Sequence, residues 1–142
     1  MNKLIALFIF LLWPVLAFTK DVDIPTIIII ESSGNPSAIG THGEMGLMQI
    51  TPIVLVEYNN FHNLYLQFGS KQLFDPLINT TVGNWYINIR IPQMLKYYHI
   101  PDTINNRIWC YNAGIKNVLE ERLPFTTRNY IQKYNHLINR RK

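Results

Sequence analysis

In this 142-residue chain a helix-capping residue followed closely by proline opens an apolar run at Asp23-Ile24-Pro25, Thr51-Pro52 and Asp75-Pro76. Asp and Thr accept hydrogen bonds from the free N–H groups at a helix start, and proline fits the first turn because no helical bond is lost there. Such openings call for a helix-rich single domain. Between the first two openings the pattern is different. Ser32-Ser33-Gly34-Asn35-Pro36 is dense in turn formers, and Gly40, Gly43 and Gly46 separate short apolar pieces up to Ile50. No regular helix fits that stretch, which suits small strands or loops beside a cleft. The expected fold class is α+β, mainly α, with a small β or loop insertion after Glu31.

The other elements follow from periodicity. After Thr51-Pro52 one face runs through Ile53, Val56 and Asn60. After Asp75-Pro76, Ile78, Val82, Trp85 and Ile89 are spaced as one buried stripe. Pro92 interrupts that stretch and predicts a kink or a break near Ile91. A helix from about Thr103 to Tyr111 stops at Asn112-Ala113-Gly114. The last starts near Thr126 or Thr127 and buries Tyr130, Tyr134, Leu137 and Ile138. One conflict stays open: Ile27 to Ile30 are four successive β-branched residues, which favour a strand, behind a helix opening.

Composition narrows the function classes. Hydrophobic residues make up 48% and charged residues 15%, so the signature of a disordered chain is absent. The net charge of +4 comes from scattered basic residues apart from Arg140-Arg141-Lys142, which argues against a nucleic-acid partner. A lone Cys110 can form neither an internal disulfide nor a paired-thiol zinc site. His42, His62, His99 and His136 are too dispersed for a local ligand cluster, so no metal and no cofactor are expected. Met1-Asn2-Lys3, the apolar run Leu4 to Trp13 and Val15-Leu16-Ala17 read as a secretory signal peptide over residues 1–17, leaving a domain over 18–142. An uncleaved anchor is the competing reading. The run is short for a span and Pro14 interrupts it. The expectation is an exported protein of the periplasm or cell envelope, without a stable membrane span after processing.

Glu31 is the outlying candidate for chemistry. It follows apolar residues and precedes a turn, so its carboxyl stands beside greasy surface, and desolvation raises a carboxylate's pKa. A glutamic acid that keeps its proton near neutral pH can donate it to a leaving oxygen. A plain glutamate capping a turn would look the same in sequence.

Its surroundings decide between them. Glu31-Ser32-Ser33-Gly34-Asn35-Pro36, Gly46-Leu47-Met48-Gln49-Ile50-Thr51-Pro52, Tyr111-Asn112-Ala113-Gly114 and Arg128-Asn129-Tyr130 together resemble the soluble lytic transglycosylase family, of the goose-type-lysozyme-like group in the lysozyme superfamily. The similarity runs from about Ile24 to Tyr134 and takes in Phe74-Asp75-Pro76, Asn79 and Gly83. Several motifs in order and spacing carry it, where one would be weak. The resemblance implies a lysozyme-like domain in which Ile27 to Glu31 ends a helix. It implies that Glu31 is the lone general acid and base, with Ser32 beside it facing the sugar on the non-leaving side. It makes Met48 and Gln49 a cleft-floor pair, Met48 packing on a sugar face and the Gln49 amide reaching substrate. Tyr111 and Asn112 would line the opposite wall, and Tyr130 would bring its hydroxyl to Glu31.

Plainer roles compete for several of these. Met48 could be core, Tyr111 and Tyr130 could be buried aromatics with satisfied hydroxyls, and Asn112 could merely end its helix. Gln49 lies between apolar neighbours and needs a partner. Trp85 and Trp109 fall on apolar helical faces, and Cys110 reads as a buried neutral thiol. Thr126 stands where many relatives carry a glutamate, which removes any contact that residue makes.

One carboxylate rather than a flanking pair sets the mechanism implied by the resemblance. Glu31 protonates the leaving oxygen, then as conjugate base deprotonates the sugar's own 6-OH, giving a 1,6-anhydro-muramoyl end. The substrate is then peptidoglycan glycan strands, cut between N-acetylmuramic acid and N-acetylglucosamine. Two other classes compete: a hydrolytic lysozyme, for which Glu44 is the local water-orienting candidate, and a non-catalytic peptidoglycan-binding assembly protein. Analogy adds a partner, a cell-envelope secretion or conjugation machine.

Overall fold

A computed structural model describes residues 20–63 and 67–141 of the chain. The signal segment expected at residues 1–17 lies outside them. The helices are α1 (Ile24–Ser32), α2 (Pro52–Phe61), α3 (Pro76–Trp85), α4 (Ile91–Tyr97), α5 (Ile104–Ala113), α6 (Ile115–Leu119) and α7 (Phe125–Asn139), with a 3-10 turn at Ser70–Phe74 and a π-helical turn at Tyr86–Arg90. Residues 33–50 form the irregular insertion, where Met45 bridges to both Ile39 and Ile50. The fold is the mainly helical one that the capping signals call for. Among the described residues no helix is long and apolar enough to cross a membrane, and no group of three or more potential ligands is placed to hold a metal.

Two of the three expected openings cap through the side chain, whereas Thr51 stands at the start of α2 without a side-chain cap hydrogen bond and the opening there rests on Pro52. The Asp23 carboxylate accepts from the Thr26 N–H at 2.9 Å and from its hydroxyl at 2.6 Å. Asp75 accepts from Leu77 and Ile78 N–H, and Thr103 from Asn106 N–H. The conflict over Ile27 to Ile30 resolves as helix. The Asp23 cap and Pro25 set the first turn, and full burial of Thr26 and Ile27 supplies what β-branched propensity does not.

Two buried faces differ from the sequence expectation. Helix α2 buries Val54, Leu55 and Asn59, while Ile53 and Val56 are exposed, Ile53 at 76%. The run Ile53 to Val56 is apolar throughout, so periodicity alone could not choose a face. Asn59 chooses it, because its amide donates to the Phe68 carbonyl at 2.9 Å and accepts the Phe68 N–H at 3.1 Å, pinning the next segment against the helix.

The second difference lies downstream of Asp75. Asn79, Gly83, Ile87, Ile91 and Leu95 are buried, each four residues on, whereas Ile89 is exposed. In an α-helix every step of four overshoots by about 40°, so four such steps would carry the stripe well round the cylinder. The π turn takes back part of that rotation. It wraps at Tyr86–Arg90, with the Ile91 N–H bonded to the Tyr86 carbonyl. Pro92 neither breaks nor ends the path. It sits in the first turn of α4, where a missing donor costs little.

Two junctions hold the insertion and the last helix. The Asn79 carbonyl oxygen accepts the Met48 N–H at 2.8 Å, and its amide donates to the Met45 and Leu73 carbonyls, each at 2.8 Å. Gly46 touches the same knot: it has φ +75°, and a Cβ there would lie 2.2 Å from the Leu73 carbonyl oxygen. Helix α7 lies along α1, with the Tyr134 hydroxyl accepting the Asp23 N–H at 2.8 Å. Trp85 is buried, Trp109 packs partly buried against the core, and Cys110 is a buried free thiol.

Candidate active site

An open cleft of about 410 Å³ runs between the insertion, α2 and α5, and its walls include Glu31, Glu44, Gln49, Tyr86, Tyr111 and Asn112. Glu31 occupies the last turn of α1, and the next residue but one, Ser33, is left-handed, so the chain leaves the helix at once. The Tyr130 hydroxyl of α7 donates to Glu31 Oε1 at 2.8 Å. Burial pushes the Glu31 carboxyl up to about 7, and the charge of Glu44 adds to that, against the Tyr130 hydrogen bond and the Lys133 cation. The Tyr130 phenol is pushed far up, chiefly by its own burial and then by the neighbouring Glu31, so it stays a donor.

The other residues singled out in sequence divide into two groups. Gln49 lines the cleft in a left-handed conformation, φ +50°. Its amide nitrogen donates to Gly46 O at 2.9 Å and Ala38 O at 3.3 Å, so Oε1 is what it can offer a ligand, as an acceptor. Asn112 is exposed in the opposite wall, and its Oδ1 accepts the Thr127 hydroxyl at 2.7 Å. That leaves the Asn112 amide as a donor. Tyr111 lines the cleft with its ring, and its hydroxyl donates to the Met48 carbonyl at 2.6 Å.

Met48 and Ser32 are placed otherwise than the resemblance implies. The Met48 side chain is 0% exposed and lies in the core, its sulfur so close to α3 that a Cβ on Gly83 would come within 2.3 Å of it. It cannot pack on a sugar face from there. What Met48 gives the cleft is the carbonyl that holds Tyr111. The Ser32 hydroxyl donates to the Leu47 carbonyl at 2.8 Å, tying the end of α1 to the insertion, and it does not line the cleft.

Two residues of the site, Tyr86 and Thr127, carry no clear sequence signal. Tyr86, in the π turn, lines the cleft with its ring 5.9 Å from that of Tyr111. The Ile91 N–H bonded to the Tyr86 carbonyl closes the turn that carries it. Thr127 orients Asn112 from inside the core. Cys110 reaches the cleft wall although buried, and burial pushes its thiol up to about 12, consistent with an inert neutral group.

Comparison with known proteins follows the same outline. Over 67 residues the chain is 43% identical to the membrane-bound lytic murein transglycosylase E of Buchnera aphidicola subsp. Baizongia pistaciae (strain Bp), covering 46% of this chain and 32% of that protein. The fold matches the 70 kDa soluble lytic transglycosylase of Escherichia coli with a TM-score of 0.67 and 24% identity, over 78% of this chain and 20% of that one. It matches an inactive mutant of lytic transglycosylase Slt from Pseudomonas aeruginosa with a TM-score of 0.60 and 23% identity, over 82% and 21%. This chain therefore spans about a third of the curated relative and a fifth of each solved structure, whose likeness is one of fold. The Transglycosylase SLT domain matches residues 21–133, and the chain belongs to that family.

Proposed function

We propose that the protein is an exported peptidoglycan lytic transglycosylase, cutting the β-1,4 bond between N-acetylmuramic acid and N-acetylglucosamine and closing a 1,6-anhydro ring on the muramoyl end. The observation that carries this is Glu31: a carboxyl held near 7 in an open cleft, with one fixed hydrogen bond from Tyr130. Because Tyr130 donates to Oε1, the acid's proton sits on Oε2 and is free to pass to the leaving oxygen. The bond from the sugar carbon to that oxygen then breaks, and the cation on the sugar is spread over its ring oxygen. Glu31, now a carboxylate, takes the proton of the sugar's 6-OH as that oxygen closes on the cation. Holding the hydroxyl on the same sugar replaces a second carboxylate by proximity. The acceptor on Gln49 and the donor on Asn112 stand on opposite walls, which suits the mixed hydroxyl and acetamido edges of an amino-sugar strand.

Mass spectrometry of digested peptidoglycan tests the reading. Each cut is expected to leave an anhydro end lighter by one water than a hydrolytic end. Predominantly reducing-end products would make the protein a lysozyme, a reading favoured only by the turn of Glu44 into the cleft. A second expectation concerns acidity: lytic rate falls as pH rises through about 7, as the proton leaves Glu31. A rate that keeps climbing to pH 9 would remove Glu31 from the acid's role.

Export and a place beside a secretion or conjugation machine are the finer part of the proposal. They rest on the leader-like residues 1–17 and on analogy. Loss of assembly of such a machine in a deletion strain, restored by the wild-type chain and not by Glu31→Gln, checks the second.

A further inference from the structure

A second carboxylate reaches the cleft, and the mechanism above makes no use of it. Glu44 lies between the bridged residues Ile39 and Met45, and its side chain lines the same walls as Glu31. Flanked by Gly43 and Met45, it reads in sequence as a solvated loop residue. The structure leaves it 26% exposed and tied down. Its main-chain carbonyl accepts the Gly40 N–H at 2.8 Å. Its Oε2 accepts the His42 N–H at 2.9 Å, and His42 Nδ1 lies 3.4 Å from Oε1. Gly40 makes the space, because a Cβ there would come within 2.3 Å of Glu44 Oε2 and 2.8 Å of Gln49 Oε1. Hydrogen bonding from its own N–H and from that of His42 holds the Glu44 carboxyl below the usual carboxylate range, so it is an anion wherever the enzyme works.

The other groups that bear on Glu31 come from two helices. Tyr130 and Lys133 of α7 both favour its charged form, one by donating and one by its cation. Tyr111 of α5 has its hydroxyl committed to Met48. Glu44 is, among the described residues, the anion set against them.

We propose that Glu44 is a positioning residue for the acid: fixed over Gly40 by the His42 N–H and facing the cleft shared with Glu31, its negative charge adds to the burial of Glu31 in keeping the proton there against the pull of Tyr130 and Lys133. This rests on the reading of Glu31 as the acid. It differs from a lysozyme's second carboxylate, because Glu44 neither binds the attacking group nor accepts its proton. The insertion then serves chemistry as well as shape, since the turn that places Gln49 also aims the charge that tunes Glu31.

NMR titration of the Glu31 side-chain carboxyl in the whole protein, without substrate, tests this directly. In Glu44→Gln the amide oxygen can still accept the His42 N–H, so the turn is kept while the charge is lost. The Glu31 midpoint is expected to fall. The alkaline limb of the lytic pH profile is expected to move down with it, a half-unit displacement giving about threefold slower lysis above the midpoint. Products keep their anhydro ends. Glu44→Ala, which loses the tether along with the charge, is expected to give the same displacement. An unmoved midpoint in both variants, or a midpoint that moves only in Glu44→Ala, overturns the proposal. Because the titration needs no glycan, its outcome is separate from the function reading, which fails instead if the wild-type protein leaves no anhydro ends.

Discussion

Glu31→Gln is expected to abolish lysis and to stabilise the protein at the same time. Glutamine has nearly the same shape but no carboxylic proton, so a general acid worth about 10²- to 10⁴-fold is lost, and with no second group to take over the loss falls at the upper end. The stability change has its own sign. Folded Glu31 keeps its proton up to about 7, whereas an ordinary glutamate loses it near 4.5. The folded state therefore binds an extra proton between those values, and wild-type stability drops as pH rises from about 4.5 through about 7. At pH 8 the variant should be the more stable by up to about 3 kcal/mol, while below about pH 4 the two should converge. Zymograms and chemical denaturation at pH 4 and 8 check both parts. A folded Glu31→Gln protein that clears peptidoglycan normally would sink the assignment, and a variant no more stable at pH 8 would show that Glu31 carries no burial penalty.

The largest structural effect is expected at Asn79. It is 1% exposed and makes three hydrogen bonds, to the Met48 N–H and to the Met45 and Leu73 carbonyls. Asn79→Ala removes all three partners at once from backbone groups with no water to replace them, at about 1–3 kcal/mol for each group left unsatisfied. Even with partial relaxation, a loss of about 3–5 kcal/mol is a large share of a domain's total stability. Asn79→Asp fares little better, since a carboxylate can accept from Met48 but faces two carbonyl oxygens. Thermal unfolding by circular dichroism is expected to show a midpoint lower by more than 10 °C, at about 3 °C or more per kcal/mol. A drop under about 3 °C in Asn79→Ala would mean that the insertion is held by packing alone.

Features read from adjacent residues were the legible ones. Asp23, Asp75 and Thr103 cap the next few N–H groups, and Gly114 ends α5 at φ +80°, so each is written within a handful of positions. Glu31 was legible as a carboxyl on an apolar helix end, and Gln49 as an amide needing partners. Faces were harder. The choice between Val54 and Ile53 depends on Asn59 meeting Phe68, and the exposure of Ile89 depends on a widened turn that no α-helical period contains. The resemblance implies a Met48 side chain on a sugar face, but the side chain lies in the core, because Gly83 on another helix opens the hole that it fills. Glu44 was legible as the nearby carboxylate, but its turn into the cleft was not, for a similar reason. Gly40 leaves the space that it fills, and the His42 N–H holds it there.

The clamp between α1 and α7 has a consequence in time. A chain made from its N-terminus presents Glu31 early, while the tyrosine that fixes its geometry lies 99 residues further on, and Tyr134 and Arg141, which grip Asp23, come later still. Until α7 is synthesised and docks, Glu31 has neither its hydrogen bond from Tyr130 nor the cover of that helix. A molecule trimmed ahead of α7 is therefore expected to lose the hydrogen bond that fixes Glu31, and with it the proposed activity.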